Sequence, residues 1–298
     1  MSEEIVKNNE TVNETKSIER KLQDNNSILN SFKNEFASSV IPVYINSLKR
    51  TINFREVTVV EQKSLSKTMI QNENRKDIVY DTQCALINRL CLEDGFDIYK
   101  LTEFDRIRIL MEIYATNYFQ NEIEFKCPEC GTVNKYTVDF DKIAKRMNDF
   151  DLKPLSYTME DKMRIYNFTL NYPTVYNVSN FYKQYMKQYQ NTSRKEKEML
   201  DNLGNIEYIN MFIQSIELIN KTDTTKKQTA DLSIMSYNQI EELLSYFPQS
   251  IMFDEEHGVL KHISDEFINK INNVFQYEKC AQCGHQTTEG IGDLTDFF

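Results

Sequence analysis

Tryptophan is absent from the 298 residues, and glycine (7), proline (5) and histidine (3) are scarce. So little glycine and proline excludes a collagen-like chain, a linker-rich chain and a repeat-rich β-propeller. A basic excess is missing as well: 35 Lys and Arg stand against 45 Asp and Glu, for a formal net charge of −10. Binding a phosphate backbone needs a net basic face, so nucleic acid is not the expected partner. The dipeptides Arg194-Lys195 and Lys226-Lys227 read as solvated surface. No apolar run reaches the roughly 18 residues of a membrane span. The opening Met1-Ser2-Glu3-Glu4 has neither the basic nor the apolar region of a secretory signal. Synthesis in a reducing cytoplasm is therefore expected.

Catalytic signatures are missing too. There is no Walker loop, GxGxxG, GxSxG or HExxH. His257 and His262 are five apart, which does not bring them to one helix face, and no pair of carboxylates stands out from the acidic surface. No catalytic residue and no organic cofactor are assigned, and a non-enzymatic role is expected.

What the chain does have is aromatic bulk, with 17 Tyr, 18 Phe and a hydrophobic fraction of 40%, enough for real cores at this length. It also has two matched motifs, Lys126-Cys127-Pro128-Glu129-Cys130-Gly131 and Lys279-Cys280-Ala281-Gln282-Cys283-Gly284-His285. Two thiolates two residues apart can hold one edge of a tetrahedral zinc, and the following glycine lets the chain turn. Two such halves make a closed structural site of Cys127, Cys130, Cys280 and Cys283, with one zinc per chain and no open position for chemistry. Unpaired core cysteines and a redox dithiol are the alternatives; the second is disfavoured because no βαβ pattern surrounds either motif. His285 could replace a cysteine, but with four cysteines present it reads as a neighbour of the ion rather than a ligand.

Ordinary zinc ribbons separate their cysteine pairs by roughly 15–20 residues, whereas 149 residues lie between Cys130 and Cys280. The pattern predicts a ribbon split by a large insertion, with zinc fastening its two ends. Closing so long a loop costs a few kcal/mol of chain entropy, which structural zinc, worth about 10–16 kcal/mol in small peptides, more than offsets.

The expected fold class is α+β, mostly helical with small β-elements around that split four-cysteine ribbon. Residues 1–38 read as a flexible polar tail whose sparse apolar residues (Ile18, Leu22, Ile28, Leu29, Phe32, Phe36) suggest a marginal helix. Residues 39–140 read as an α+β region ending in the first cysteine motif, 141–273 as a mainly helical insertion, and 274–298 as the second motif and a tail. Period-two patterns predict strands at 41–45 and 51–59 around a turn near Leu48-Lys49. Helices are predicted from Val60 to Gln71, from Asp77 to Leu92, and after Thr102-Glu103-Phe104-Asp105, where Thr102 caps. Cys84 and Cys91 share a helix face and read as buried small hydrophobes, with extra metal ligation the alternative. Further on, the patterns predict a short helix at 142–147, a strand at 162–172 ended by Pro173, and a helix at 175–189. A long helix is expected from Arg194 to Asn220, a polar loop at 222–229, a helix at 237–246, and another through Phe267 and Val274. The Phe181, Tyr182, Tyr185, Tyr189 stripe reads as packing surface rather than a platform for bases. The terminal Phe297-Phe298 reads either as a disordered end or as an anchor for a neighbouring subunit.

Several stretches carry a resemblance. Ile45-Asn46-Ser47-Leu48-Lys49, Ile52-Asn53-Phe54-Arg55 and Val60-Glu61-Gln62-Lys63 form a strand, a reversal, and a strand leading into a charged helix. Phe96-Asp97-Ile98, Leu101-Thr102-Glu103-Phe104-Asp105-Arg106, the first cysteine motif and Asn171-Tyr172-Pro173-Thr174-Val175 follow in order. From about residue 40 to the end, this series resembles the baseplate hub subunits and hub assembly proteins of contractile-tailed bacteriophages. Asn46 departs from the pattern, standing where a proline is expected. The resemblance implies a structural or assembly component of the virion tail baseplate that works by protein–protein association. Its implied partners are other baseplate and tail proteins, with self-association compatible and neither nucleic acid nor membrane involved. A zinc-ribbon factor associated with nucleic acid or transcription is the alternative, and an enzyme with a structural zinc a third reading.

Overall fold

The computed structural model describes residue 27 and residues 40–72, 75–116, 122–137, 139–148, 150–193, 207–274 and 279–285. Apart from residue 27, the predicted N-terminal tail lies outside this set, as does Phe297-Phe298.

Strict alternation builds the first hairpin. In β1 (Val40–Ile45), Ile41, Val43 and Ile45 turn inward while Val40 and Tyr44 face out. β2 (Arg50–Arg55) returns antiparallel, with Ile52 opposite Val43 and Phe54 opposite Ile41. Lys49, at φ 52°, occupies the left-handed position of the reversal. The strand predicted through Val59 stops at Arg55, because Thr58 and Glu61 form a capping box that starts α1 (Val59–Gln71). Arg55 grips Glu61 with two parallel bonds of 2.9 and 2.7 Å. In α2 (Lys76–Leu90) the inward face includes Tyr80, Gln83, Cys84, Ile87 and Leu90. Cys84 is fully buried and burial pushes its thiol up to about 12, as befits a small core side chain. Cys91 caps the helix and bridges backbone with Phe54.

α3 (Glu103–Thr116) begins as predicted at Thr102. The Asp105 amide donates to Thr102 Oγ1 (3.2 Å), and that hydroxyl donates to Asp105 Oδ2 (2.6 Å). The first cysteine motif joins β3 (Glu122–Lys126) to β4 (Val133–Thr137), and α4 (Phe140–Asn148) follows. Asn46, in place of the expected proline, is buried and reaches across to this helix. Its Nδ2 donates to the carbonyls of Met147 (3.3 Å) and Phe150 (3.1 Å), fastening the hairpin reversal to the chain beyond α4.

A four-stranded antiparallel sheet of order β5-β6-β7-β8 is the largest departure from expectation. It comprises β5 (Leu155–Glu160), β6 (Arg164–Leu170), β7 (Ile213–Asn220) and β8 (Asp223–Asp231). β6 lies within the strand predicted at 162–172, whereas β5 had no predicted counterpart. The long helix predicted to Asn220 is corrected to a strand from Ile213, and its stretch at 194–206 lies outside the described residues. A register shift opposite Thr169-Leu170 explains the misreading. It places Ile213, Ile216 and Leu218 on one face at intervals of three and two, which imitates helical spacing over a short run. The loop predicted at 222–229 is corrected to β8, an edge strand almost wholly exposed, whose polar residues show no alternation to read. Lys226 and Lys227 pair there with Asp223 and Glu217. The outer face of the sheet carries a polar row across all four strands, from Thr158 through Asn167 and Glu217 to Lys227.

α5 (Val175–Gln190), capped by Thr174, connects β6 back toward β7. The start of α5 and the start of α3 are cross-linked: Val175 N–H donates to Leu101 O (2.9 Å) and Glu103 N–H to Pro173 O (2.8 Å). The Phe181, Tyr182, Tyr185, Tyr189 stripe packs ring on ring and against Tyr208. The chain then forms α6 (Tyr237–Ser245), α7 (Gln249–Met252) and α8 (Val259–Ile263). A single π turn (Ser264–Ile268) leads into α9 (Asn269–Val274).

One main core joins these parts. At its centre four rings meet: Phe104 on α3, Tyr172 after β6, Phe212 before β7 and Phe267 in the π turn. Tyr172 lies 5.3, 5.9 and 5.0 Å from Phe104, Phe212 and Phe267 respectively. Between α2 and α3 lies a buried group of polar side chains bonded to one another. Arg106 holds Glu103 through Nε (3.0 Å) and Nη2, donates to Gln83 Oε1 (2.9 Å), and lies 4.3 Å above the Tyr80 ring. Tyr80 in turn bonds Glu103. Among the described residues no helix is long and apolar enough to cross a membrane.

Candidate metal centre

Each cysteine motif folds into the same turn. In the first, the Cys127 amide donates to Thr132 O (2.8 Å) and the Gly131 amide to Cys127 O (2.9 Å); in the second, the Cys280 amide donates to His285 O (2.8 Å) and the Gly284 amide to Cys280 O (2.9 Å). Gly131 and Gly284 sit at φ 71° and 72°, where a side chain would be strained, so each motif needs its glycine. The strand pair β3-β4 presents the first turn directly, with Lys126 opposite Val133 at its mouth.

The two turns meet face to face. All four sulfurs lie within 4.8 Å of one another. Across the join, Cys127 Sγ is 3.7 Å from Cys283 Sγ and Cys130 Sγ is 3.6 Å from Cys280 Sγ. A tetrahedral zinc with sulfur ligands at about 2.3 Å demands sulfur separations of about 3.8 Å. The donor set and its spacing fit that ion. Cys127 and Cys280 are buried, whereas Cys130 and Cys283 face solvent.

The electrostatics of the thiols divide along a different line from burial. Amides of Cys283 and Gln282, aided by Asn134, bring the Cys280 thiol down to about 6. Bonding with Thr132 lowers Cys130. For Cys283 the His285 amide pulls down, but desolvation and the sulfurs of Cys130, Cys127 and Cys280 prevail and push it up to about 12. Four sulfurs this close cannot all ionise without a cation between them, and a divalent ion would resolve the conflict.

The structure thus brings together all four cysteines singled out by spacing, and leaves Cys84 and Cys91 apart from the cluster. His285 contributes a backbone carbonyl to the second turn. His262 is elsewhere, stacked 3.9 Å from Tyr157, and the Tyr157 hydroxyl donates to His257 O (2.5 Å). Sequence reasoning missed the residues that tie the turns to each other. The Thr132 hydroxyl bonds the Gln282 side chain, and Asn134 on β4 contacts both Cys280 and Ala281. A polar residue at an inward strand position was the only available signal.

In a comparison with known proteins, residues 39–298 match the family described as T4 bacteriophage base plate protein. No curated protein matches the chain, and no solved structure does.

Proposed function

Because the chain belongs to the T4 bacteriophage base plate protein family, we propose that it acts at the centre of the baseplate. There it would be a hub subunit or hub assembly factor, fastened by one structural zinc. Membership of the family implies a place among the proteins of the tail baseplate and association with them. The hub position is the finer part of the reading. It is supported by the order of the strand, reversal and Leu101–Arg106 segments, which follows the hub pattern.

The single observation that carries the zinc is the meeting of four sulfurs at tetrahedral separations across 149 intervening residues. Cys127, Cys130, Cys280 and Cys283 would hold the ion as thiolates. The ion would supply structure only, since four protein ligands leave no open position. A subunit fastened in this way presents its surfaces without an ordering cost at each docking step, which suits assembly in fixed stoichiometry. The net charge of −10 favours this reading over a nucleic-acid role.

Two measurements test the proposal. Elemental analysis of protein purified without added metal is expected to give one zinc per chain; a metal-free protein with four reactive thiols would refute the zinc. Cross-linking and mass spectrometry of purified tails is expected to place the chain against central baseplate subunits, whereas cross-links confined to outer wedge subunits would refute the hub. Presence only in infected-cell lysate would select the assembly factor over the resident subunit.

A further inference from the structure

We propose that Asn134 is a positioning residue for the metal, a side-chain latch that seats the second cysteine turn on the first and donates to a ligand sulfur. The inference rests on the zinc reading above and extends it to a residue that is not a ligand.

Asn134 is buried and sits on β4, opposite Phe125. Every polar atom of its side chain is engaged. Nδ2 donates to Thr132 O (3.1 Å) within the first turn and toward Cys280 Sγ (3.5 Å) in the second; Oδ1 accepts from the Ala281 amide (3.1 Å). The neighbours fix which way the amide points. The Ala281 N–H can only donate and the Thr132 carbonyl can only accept, so the NH₂ group is the end that faces the sulfur.

Two consequences follow from this placement. First, the Asn134 bonds to residues 280 and 281 join segments nearly 150 residues apart without needing an ion. Cys280 therefore stands beside Cys130 before metal arrives, and the ion meets a partly assembled site. Second, a divalent ion held by four thiolates carries a net double negative charge, in a chain that is already acidic. A buried donor on one sulfur withdraws charge from it and steadies the anionic site, as outer partners of metal ligands generally do. Aspartate in the same place would keep the acceptor for Ala281 but lose the donor and set a carboxylate against thiolates.

The test uses the full chain, stripped of metal and titrated with cobalt(II), then with zinc in competition with a chromogenic chelator. Wild type is compared with Asn134→Ala and Asn134→Asp. The expected order of affinity is wild type, then Ala, then Asp, with Ala weaker than wild type by about 10-fold or more, the usual size of such an effect. The cobalt–thiolate charge-transfer band is expected to shift in both variants, a change that mere loosening of the fold would not produce. Asn134→Asp is nearly isosteric and carries the test if the alanine variant proves poorly folded. Equal affinity and an unshifted band in both variants would overturn the latch while leaving the zinc in place. Failure of wild type itself to bind cobalt with thiolate bands would overturn the zinc reading, and the latch with it.

Discussion

Two closures bring distant parts of this chain together, and they rest on different physics. In the aromatic hub, Phe104, Tyr172, Phe212 and Phe267 gather rings from four separate stretches of the sequence. Burial drives that closure, and it has no directional requirement. In the sulfur cluster, Cys127 and Cys130 meet Cys280 and Cys283 through a few oriented contacts, two of the four cysteines being exposed. That closure is directional, and its four sulfurs could hold a metal ion. Residues 150–193 and 207–274 are thus held to the N-terminal region by the core, which closes the long loop without an ion. An ion held by the cluster would secure only the short segment 279–285 against β3-β4. The 149-residue gap therefore overstates the entropic task that a metal there would have.

The sharpest way to break this comparison is to remove a ring. Phe104→Ala should cost about 3–5 kcal/mol, the usual range for a large aromatic lost from a core, read as a lower denaturant midpoint. A cost under about 1 kcal/mol would show that the hub is not what closes the fold. Acid gives the next largest effect. The two bonds from Arg55, with Thr58 assisting, hold the Glu61 carboxyl at about 2, below its ordinary 4.5. A depressed carboxyl stabilises the fold fully above pH 4.5, and that contribution fades as pH falls from 4.5 toward 2. Its size should be about 2 kcal/mol once solvent screening is allowed for. Glu61→Gln should flatten that part of the stability curve; an unchanged curve would contradict the pairing.

On the other side of the comparison, Cys280→Ser should change the stability of the core by no more than about 1 kcal/mol. Hydrogen exchange at 122–137 and 279–285 should nevertheless rise together. Loss of the whole fold in this variant, or on chelation, would show that the ion and not the core makes the closure. The smallest effect serves as a baseline. Lys261 and Asp265 form an exposed pair at 2.6 Å, and Lys261→Ala should change stability by less than about 0.5 kcal/mol.

Much of this was legible because the information was local. The first hairpin alternates cleanly, Thr102 announces its helix, and a glycine following each Cys-x-x-Cys marks two turns of one kind. What was not legible depended on partners. β7 was disguised by its register shift, and β8 by having no buried face. Glu103 and Arg106, three apart on a helix, look like an ordinary surface pair. They are buried because Tyr80 and Gln83 of α2 close over them. Asn134 was invisible for the same reason, since its partners Cys280 and Ala281 lie at the far end of the chain.

The π turn at Ser264–Ile268 bears on where the chain is heading when it leaves the last helix. Such a turn holds one residue more than the α-turn it replaces. Excising that residue would swing everything downstream through about 100° and draw it back by about 1.5 Å. Residues 275–278 lie between the end of α9 at Val274 and Lys279. The extra residue therefore works as a phase setting. It decides the azimuth at which α9 is directed relative to α8.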